Sequence, residues 1–339
     1  MKILVVKLSA FGDIIHALPA LQDLLDRPEV KEVHWLVDTR YAFVTQVFPP
    51  QVKVHQVDLR GEHPLHSAWQ TIRALRQQHF DAVLDLQGLT KSAVMASLSG
   101  SPVYGMDVKH LREGASRFLL RPVPFHAEER HVVQMYRRVA AAPFGNSEKP
   151  IPYSPPQADL NIHVLQTGEA LLEHWKISGK RIVWLHMGGG WATKQLPLQT
   201  WQQLAGKLTA EGIVPILGWG NEAEKIVAGR VKEGAPDALL PEHRLNMDAL
   251  CGIFGWTMAV VGPDTGVVHL AAALGTPTIS FWGPSASWRS APLGEKHRHI
   301  ESKPHCGPCF KRECNQFICM DMIRADDIMS AIHEISLLS

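Results

Sequence analysis

The chain has 339 residues, 45% of them hydrophobic, with 34 basic residues against 33 acidic ones. That length suits two cores, and the near-cancelling charge supplies no global positive field for indiscriminate nucleic-acid binding, while leaving local basic patches open. No apolar run approaches the roughly 20 residues that span a bilayer, and the run 3–6 stops at Lys7, too short for a signal-peptide core, so a cytoplasmic location is expected.

Residues 2–8 read as a buried strand and 14–25 as a helix, separated by Ser9-Ala-Phe-Gly-Asp13. At such a strand-to-helix turn Asp13 is placed either to act as general base on a substrate hydroxyl or simply to cap the helix. Apolar runs at 34–37 and 82–86 alternate with helical stretches such as 69–78, the grammar of a parallel sheet covered by helices. Gln87-Gly-Leu-Thr-Lys91-Ser92 follows the second run; with Lys7, Arg60 and Arg112 it offers a basic lip for an anionic substrate, scattered surface cations being the alternative. Residues 143–156 hold five prolines and almost no periodicity, and read as a linker.

The same grammar then restarts. A strand over 181–186 ends in Met187-Gly-Gly-Gly190, where glycines let a backbone approach a ligand; Lys194, one loop further, is placed to neutralise a leaving phosphate. The spacing matches neither a dinucleotide fingerprint nor a Walker loop. A helix over 198–211 and a strand over 214–217 lead to Trp219-Gly-Asn-Glu-Ala-Glu224, where a carboxylate can accept from ribose hydroxyls or merely enrich a first helical turn. Strands follow at 259–261 and 277–281. Between them Gly262-Pro263 is expected to end the strand, Asp264-Thr-Gly266 to turn, and the run 267–274 to form a helix. The N–H groups of Thr265 and Gly266 at that helix start suit a phosphate, with Asp264 and His269 in reach of hydroxyls on the attached group. An ordinary N-cap with an interior histidine is the alternative.

Cys306, Cys309, Cys314 and Cys319 form C-x2-C-x4-C-x4-C, leaving Cys251 alone. In a cytoplasmic chain a structural metal is expected before disulfides, although the two separated pairs of a zinc ribbon are missing. The helix over 325–338 is amphipathic enough to pack on either half. The simplest architecture is α/β: two doubly wound domains, 1–156 and 157–322, facing across a cleft, plus a helical tail 323–339 able to pack back on the first.

In their order along nearly the whole chain, these motifs resemble the ADP-heptose:lipopolysaccharide heptosyltransferases, family 9 of the glycosyltransferases. The residues that carry the resemblance are Lys7-Leu-Ser-Ala-Phe-Gly-Asp13, Gln87-Gly-Leu-Thr-Lys-Ser92, Tyr104-Gly-Met-Asp107, Lys194 with Trp201, and Asp264-Thr-Gly-Val-Val-His269. The resemblance implies a GT-B fold of two Rossmann-like domains and an inverting, metal-independent displacement with ADP-heptose as donor. It places the catalytic base on Asp13. Donor contacts fall on Gly189, Gly190, Thr193 and Lys194 in the phosphate loop, on Glu224 at the ribose, and on the Leu245 backbone at the adenine. Thr265 and Gly266 would cradle the phosphates, and Asp264 and His269 would hold the heptose. Lys7, Ser9, Arg60, Lys91 and Arg112 would face the acidic lipopolysaccharide inner-core acceptor. Where the first heptosyltransferase type carries threonines this chain has Gly188 to Gly190, which substitutes backbone contacts for hydroxyls. Gln87-Gly-Leu-Thr-Lys-Ser and Gly105-Met-Asp favour that first type, and the cysteine-rich segment the second. A lipid-borne acceptor implies peripheral contact with the cytoplasmic face of the inner membrane, through the basic lip and exposed aromatics such as Trp69 or Phe118. A sugar-nucleotide 2-epimerase would need a further acid–base set around the sugar, and a noncatalytic binding module would not need Asp13.

Overall fold

The computed structural model describes residues 1–145 and 148–337. Asn146 and Ser147 of the expected linker, and the Leu338 end of the expected last helix, lie outside the described residues. The chain divides into two compact units, Met1–Pro156 and Gln157–Ser339.

In the first unit, β1 (Lys2–Val6), β2 (Glu32–Asp38), β3 (Lys53–Val57), β4 (Ala82–Asp85), β5 (Val103–Met106) and β6 (Arg121–Val123) form one sheet in the order β3-β2-β1-β4-β5-β6. Every pairing is parallel. Its helices are α1 (Phe11–Ile15), α2 (Leu18–Leu25), α3 (Pro64–Arg76), α4 (Thr90–Leu98) and α5 (Val132–Ala141). The expected single helix over 14–25 is two helices, because Pro19 lies in the first turn of α2 and has no N–H with which to continue the α1 ladder. Strand order reverses between β1 and β4, the place where open α/β sheets bind ligands, and the loops carrying Asp13 and Gln87 emerge there.

Part of the expected linker is fastened to this unit. The buried Arg138–Glu129 ion pair anchors it: Arg138 Nη2 donates to Lys149 O at 2.6 Å and Ile151 N–H donates to Glu129 Oε1 at 2.7 Å. Backbone groups of a segment without regular structure thus find charged partners.

The second unit runs α6 (Ile162–His174), β7 (Ile182–His186), α7 (Leu198–Ala210), β8 (Val214–Gly218), α8 (Glu222–Gly234), α9 (Met247–Phe254), β9 (Ala259–Pro263), α10 (Gly266–Ala273), β10 (Thr278–Trp282), α11 (Ser287–Ser290), β11 (His297–Glu301) and α12 (Ala325–Ser336). Its parallel sheet has the order β11-β10-β9-β7-β8, so the reversal falls between β7 and β9. β9 does not end at Gly262-Pro263 as expected but runs through both, with Pro263 level with Phe281; at the last position of a strand a missing N–H costs little. The tail packs within this unit. Ile328, Met329, Ile332 and Ile335 of α12 share one core with Trp201, Leu204 and Leu208 of α7, which is how an amphipathic helix removes its apolar stripe from water.

Candidate active site

At the switch point of the first sheet, Asp13 sits in the first turn of α1, where its Oδ2 accepts the Ala10 N–H at 3.4 Å. The capping role is therefore real. The same oxygen also lies 3.2 Å from Arg112 Nη2 and 3.9 Å from Lys7 Nζ, which a helix cap does not need. Burial alone would raise the Asp13 pKa, but the charges of Lys7, Arg112 and His16, with the Ala10 N–H, outweigh it and hold the carboxyl far below its usual range. Asp13 is ionised at neutral pH and able to receive a proton.

Lys7 is not where an acceptor contact would be. Its side chain is 1% exposed, its Nζ donates to Leu86 O at 2.9 Å and stands 4.8 Å from the centre of the Tyr136 ring. Buried in this way, its charge acts on Asp13 and not on phosphates arriving from solvent. Arg60, ahead of α3, and Lys91, in the first turn of α4, are exposed, as is Arg112. Ser9 is half-buried and held twice by Gln87: its N–H donates to Oε1 at 3.1 Å, and Nε2 donates to its Oγ at 3.4 Å.

Gln87 is in turn placed by Asp85, the last residue of β4, which accepts the N–H of Gln87 at 2.9 Å, that of Gly88 at 3.3 Å, and the Ser92 hydroxyl at 3.1 Å. Burial pushes the Asp85 carboxyl up to about 6 despite those donors. Gly88 has φ +69°, a left-handed turn that brings its carbonyl to the N–H of Arg112 at 3.1 Å. Asp85 and Gln87 thus brace both the Ser9 loop and the Arg112 segment. Asp85 is not among the site residues expected from sequence, its only signal being its place at the end of a buried strand, and Gln87 entered only as the first residue of the motif 87–92.

At the second switch point, Lys194 Nζ donates to Asp264 Oδ2 at 2.6 Å and to Asp264 O at 3.0 Å, and lies 4.3 Å from the centre of the Trp191 ring. His269 Nε2 meets the other carboxylate oxygen of Asp264 at 3.0 Å. Burial would raise the Asp264 pKa; the His269 hydrogen bond and the Lys194 charge win and hold it far below the carboxylate range. Thr265 opens α10 with extended backbone but no side-chain cap, and its buried Oγ1 has no hydrogen-bond partner among the described residues. Thr265 and Gly266 therefore present first-turn N–H groups and an unsatisfied hydroxyl, a fitting cradle for a phosphate.

Glu224, in the first turn of α8, accepts the Gly220 N–H at 2.7 Å and the Asn221 side-chain amide at 2.8 Å, so first-turn capping is also part of its role. A Cβ at Gly188 would fall 2.5 Å from its carboxylate, which would have to shift to admit one; Gly190 is open and Gly189 packs against the Lys194 side chain. Leu245, half-buried, lies in the loop just ahead of α9. Thr193 is buried, and its hydroxyl proton is already engaged, donating to Lys311 O at 2.7 Å. His186, at the end of β7, was missed. Burial pushes its pKa down to about 4, keeping the ring neutral, and its Nδ1 is buried with no partner among the described residues.

The Lys311 contact ties the cysteine-rich segment to the Lys194 loop, and Arg312 adds a guanidinium 5.6 Å from the Trp191 ring. The expected metal set does not assemble. Cys306 and Cys314 are exposed, Cys309 and Cys319 half-buried, and among the described residues no three His, Cys, Asp or Glu side chains converge on one metal position. Backbone contacts hold the segment instead, including Phe310 N–H to Pro284 O at 2.8 Å.

Residues 68–317 match the family model for glycosyltransferase family 9 (heptosyltransferase). Lipopolysaccharide heptosyltransferase 1 of Pseudomonas aeruginosa is 33% identical over 326 residues, covering 93% of this chain and 87% of that protein. The protein of the same name from Escherichia coli K12 is 30% identical over 303 residues, covering 84% and 88%. Among solved structures, E. coli heptosyltransferase WaaC with ADP-2-deoxy-2-fluoro heptose superposes with a TM-score of 0.74 at 25% identity, covering 98% of this chain and 99% of that one. E. coli ADP-heptose lps heptosyltransferase II gives 0.78 at 18% identity, covering 100% and 99%, a likeness of fold.

Proposed function

The chain belongs to glycosyltransferase family 9, and from that premise we propose that it is an inverting heptosyltransferase, moving a heptose from ADP-L-glycero-D-manno-heptose to the Kdo-bearing inner core of lipopolysaccharide. The observation that carries this reading is the coupling of Lys194 and His269 through Asp264 beside the open first turn of α10.

In the reaction, the oxygen of an acceptor hydroxyl bonds to the anomeric carbon as the bond from that carbon to the diphosphate oxygen breaks. The hydroxyl proton passes to Asp13, and the electron pair of the broken bond stays on ADP. A low-pKa carboxylate serves here because the hydroxyl becomes acidic only as it attacks an oxocarbenium-like centre. Negative charge developing on the diphosphate is met by Lys194 and by the N–H groups of Thr265 and Gly266, without a divalent metal. Asp264 and His269 hold the heptose, Glu224 the ribose, and the Leu245 backbone the adenine. Arg60, Lys91 and Arg112 receive the anionic groups of the acceptor, while Lys7 and Ser9 belong to the support of Asp13. No helix among the described residues is long and apolar enough to cross a membrane; in this reading the enzyme meets its lipid acceptor peripherally, at the cytoplasmic face of the inner membrane.

The test is transfer from ADP-heptose to deacylated core acceptors that differ by one sugar. Product on the Kdo-terminated acceptor, and none on one lacking Kdo, is expected. Conversion of the nucleotide sugar with no acceptor present would replace this reading with an epimerase.

A further inference from the structure

The outer side of α3 exposes Leu65 at 86% and Trp69 at 57%, and Phe118, in a 3-10 turn over Gly114–Phe118, is 77% exposed. On α3 the inner stripe of Ala68, Ile72 and Leu75 packs on the core of the first unit, and Leu65, Trp69, Arg73 and Arg76 form an exposed stripe alongside it at helical spacing. α3 packs against α4, and α4 against the 3-10 turn. Each exposed ring carries its own guanidinium: Arg73 lies 5.5 Å from the Trp69 ring centre and Arg117 lies 4.7 Å from that of Phe118.

We infer that this surface docks the enzyme on an anionic lipid bilayer. The inference rests on the proposed lipid-borne acceptor for its setting but on the surface itself for its chemistry. Three arginines against one glutamate lie between residues 60 and 76, and Lys109, Arg117 and Arg121 against Glu113 between 109 and 121, with Arg112 paired to Asp13. On a chain with a net charge of +1 that excess is local. Cations stand directly beside the exposed rings, which complements a surface of negative charge. Such pairs suit the headgroup layer, where a ring and an aliphatic side chain enter the acyl boundary while the guanidinium stays with the phosphates. The partner is therefore a bilayer rich in anionic headgroups.

Flotation of the full chain with vesicles, in the absence of donor and acceptor, tests this. Binding to phosphatidylcholine vesicles containing phosphatidylglycerol is expected, with weak binding to phosphatidylcholine alone. The variant carrying Leu65→Ser, Trp69→Ser and Phe118→Ser should lose about tenfold in partitioning. Transfer to a water-soluble deacylated acceptor should be unchanged in that variant, which also shows that it folds, while transfer to acceptor embedded in vesicles falls. Arg73→Glu with Arg117→Glu, a second variant that leaves the apolar residues in place, should lose binding to the anionic vesicles alone. Equal flotation of wild type and the serine variant overturns the inference, as does a vesicle-independent dimer that the serine variant dissolves. If flotation behaves as stated but no acceptor is glycosylated, the docking surface stands and the transferase reading falls.

Discussion

Asp13 and Asp264 follow the switch-point strands of two parallel sheets, each beside the start of a helix, and both carboxyls are held far below their ordinary range against the effect of burial. Their partners differ. Asp264 is gripped at 2.6 Å by Lys194 and 3.0 Å by His269, all three side chains nearly buried. The contacts to Asp13 are 3.2 Å from Arg112 and 3.9 Å from Lys7, and the nearer comes from a side chain that is 47% exposed. A gripped carboxylate is occupied in holding a cation and an imidazole; one held at longer range by a movable cation keeps a lone pair for an incoming proton. Depressed pKa values at homologous positions in two sheets therefore do not imply the same job.

The largest effect expected from this contrast is on turnover. Asp13→Asn preserves the shape of the turn and removes the base, so kcat should fall about 10²- to 10⁴-fold, with donor affinity by calorimetry unchanged. The opposite division, with Asp13→Asn harmless and Asp264→Asn abolishing turnover at unaltered donor affinity, would exchange the two roles.

Next in size is the donor side. Asp264→Ala strands the Lys194 ammonium without its closest partner and frees His269, and donor Kd should rise by about 10- to 100-fold. Because Lys194 is 11% exposed, the same change should also lower stability by about 3 kcal/mol in denaturant unfolding. Unchanged calorimetric affinity would show that the cluster is only structural.

The comparison also marks what sequence can convey. β1, β4, β7, β9 and β10 are fully or almost fully buried and read as apolar runs. β3 and β11, at the sheet edges, hold exposed and half-exposed polar residues such as Lys53, Gln56 and His299, and carry no such signal. That Asp13 and Asp264 follow strand ends was legible from the apolar runs before them, while the roles of Asp13, Lys194, Asp264 and His269 rest on the family resemblance. The burial of Lys7, the Thr193 contact with Lys311 and the bracing by Gln87 were not legible. Each depends on contacts between residues 78 to 118 positions apart, which only the pairing of strands and the docking of loops create. Nor does the cysteine spacing by itself fix where four thiols point.

A smaller effect follows from Arg112. Asp13 acts as a base only when ionised, so activity is lost as pH falls through its pKa. In the wild type that limb lies below the range where activity can be assayed, and a flat acid profile is expected. Arg112→Ala removes one of the two main lowering charges, raises the Asp13 pKa, and should bring an acid limb into view in kcat at saturating acceptor. A variant profile as flat as the wild type would mean that Lys7 alone sets the charge state. The same arginine is expected to raise acceptor KM when removed, which is why kcat is the quantity to follow.

The smallest effect should come from Gln87, which makes no direct contact with Asp13. Gln87→Ala leaves the Ser9 N–H without its acceptor, a loss worth about 1 kcal/mol. If the Ser9 loop is what keeps Asp13 at its working distance from the cations, kcat should drop about fivefold with donor Kd unmoved. Gln87→Glu offers an oxygen to the same N–H and should recover part of the loss, less whatever its charge costs beside Asp85. The second unit has a direct clamp instead, Lys194 to Asp264, so a brace of this kind matters only for the loosely held carboxylate. Turnover unaffected by Gln87→Ala would mean that α1 and its Ala10 contact hold Asp13 unaided, and that the two sites differ in the strength of their ion pairs alone.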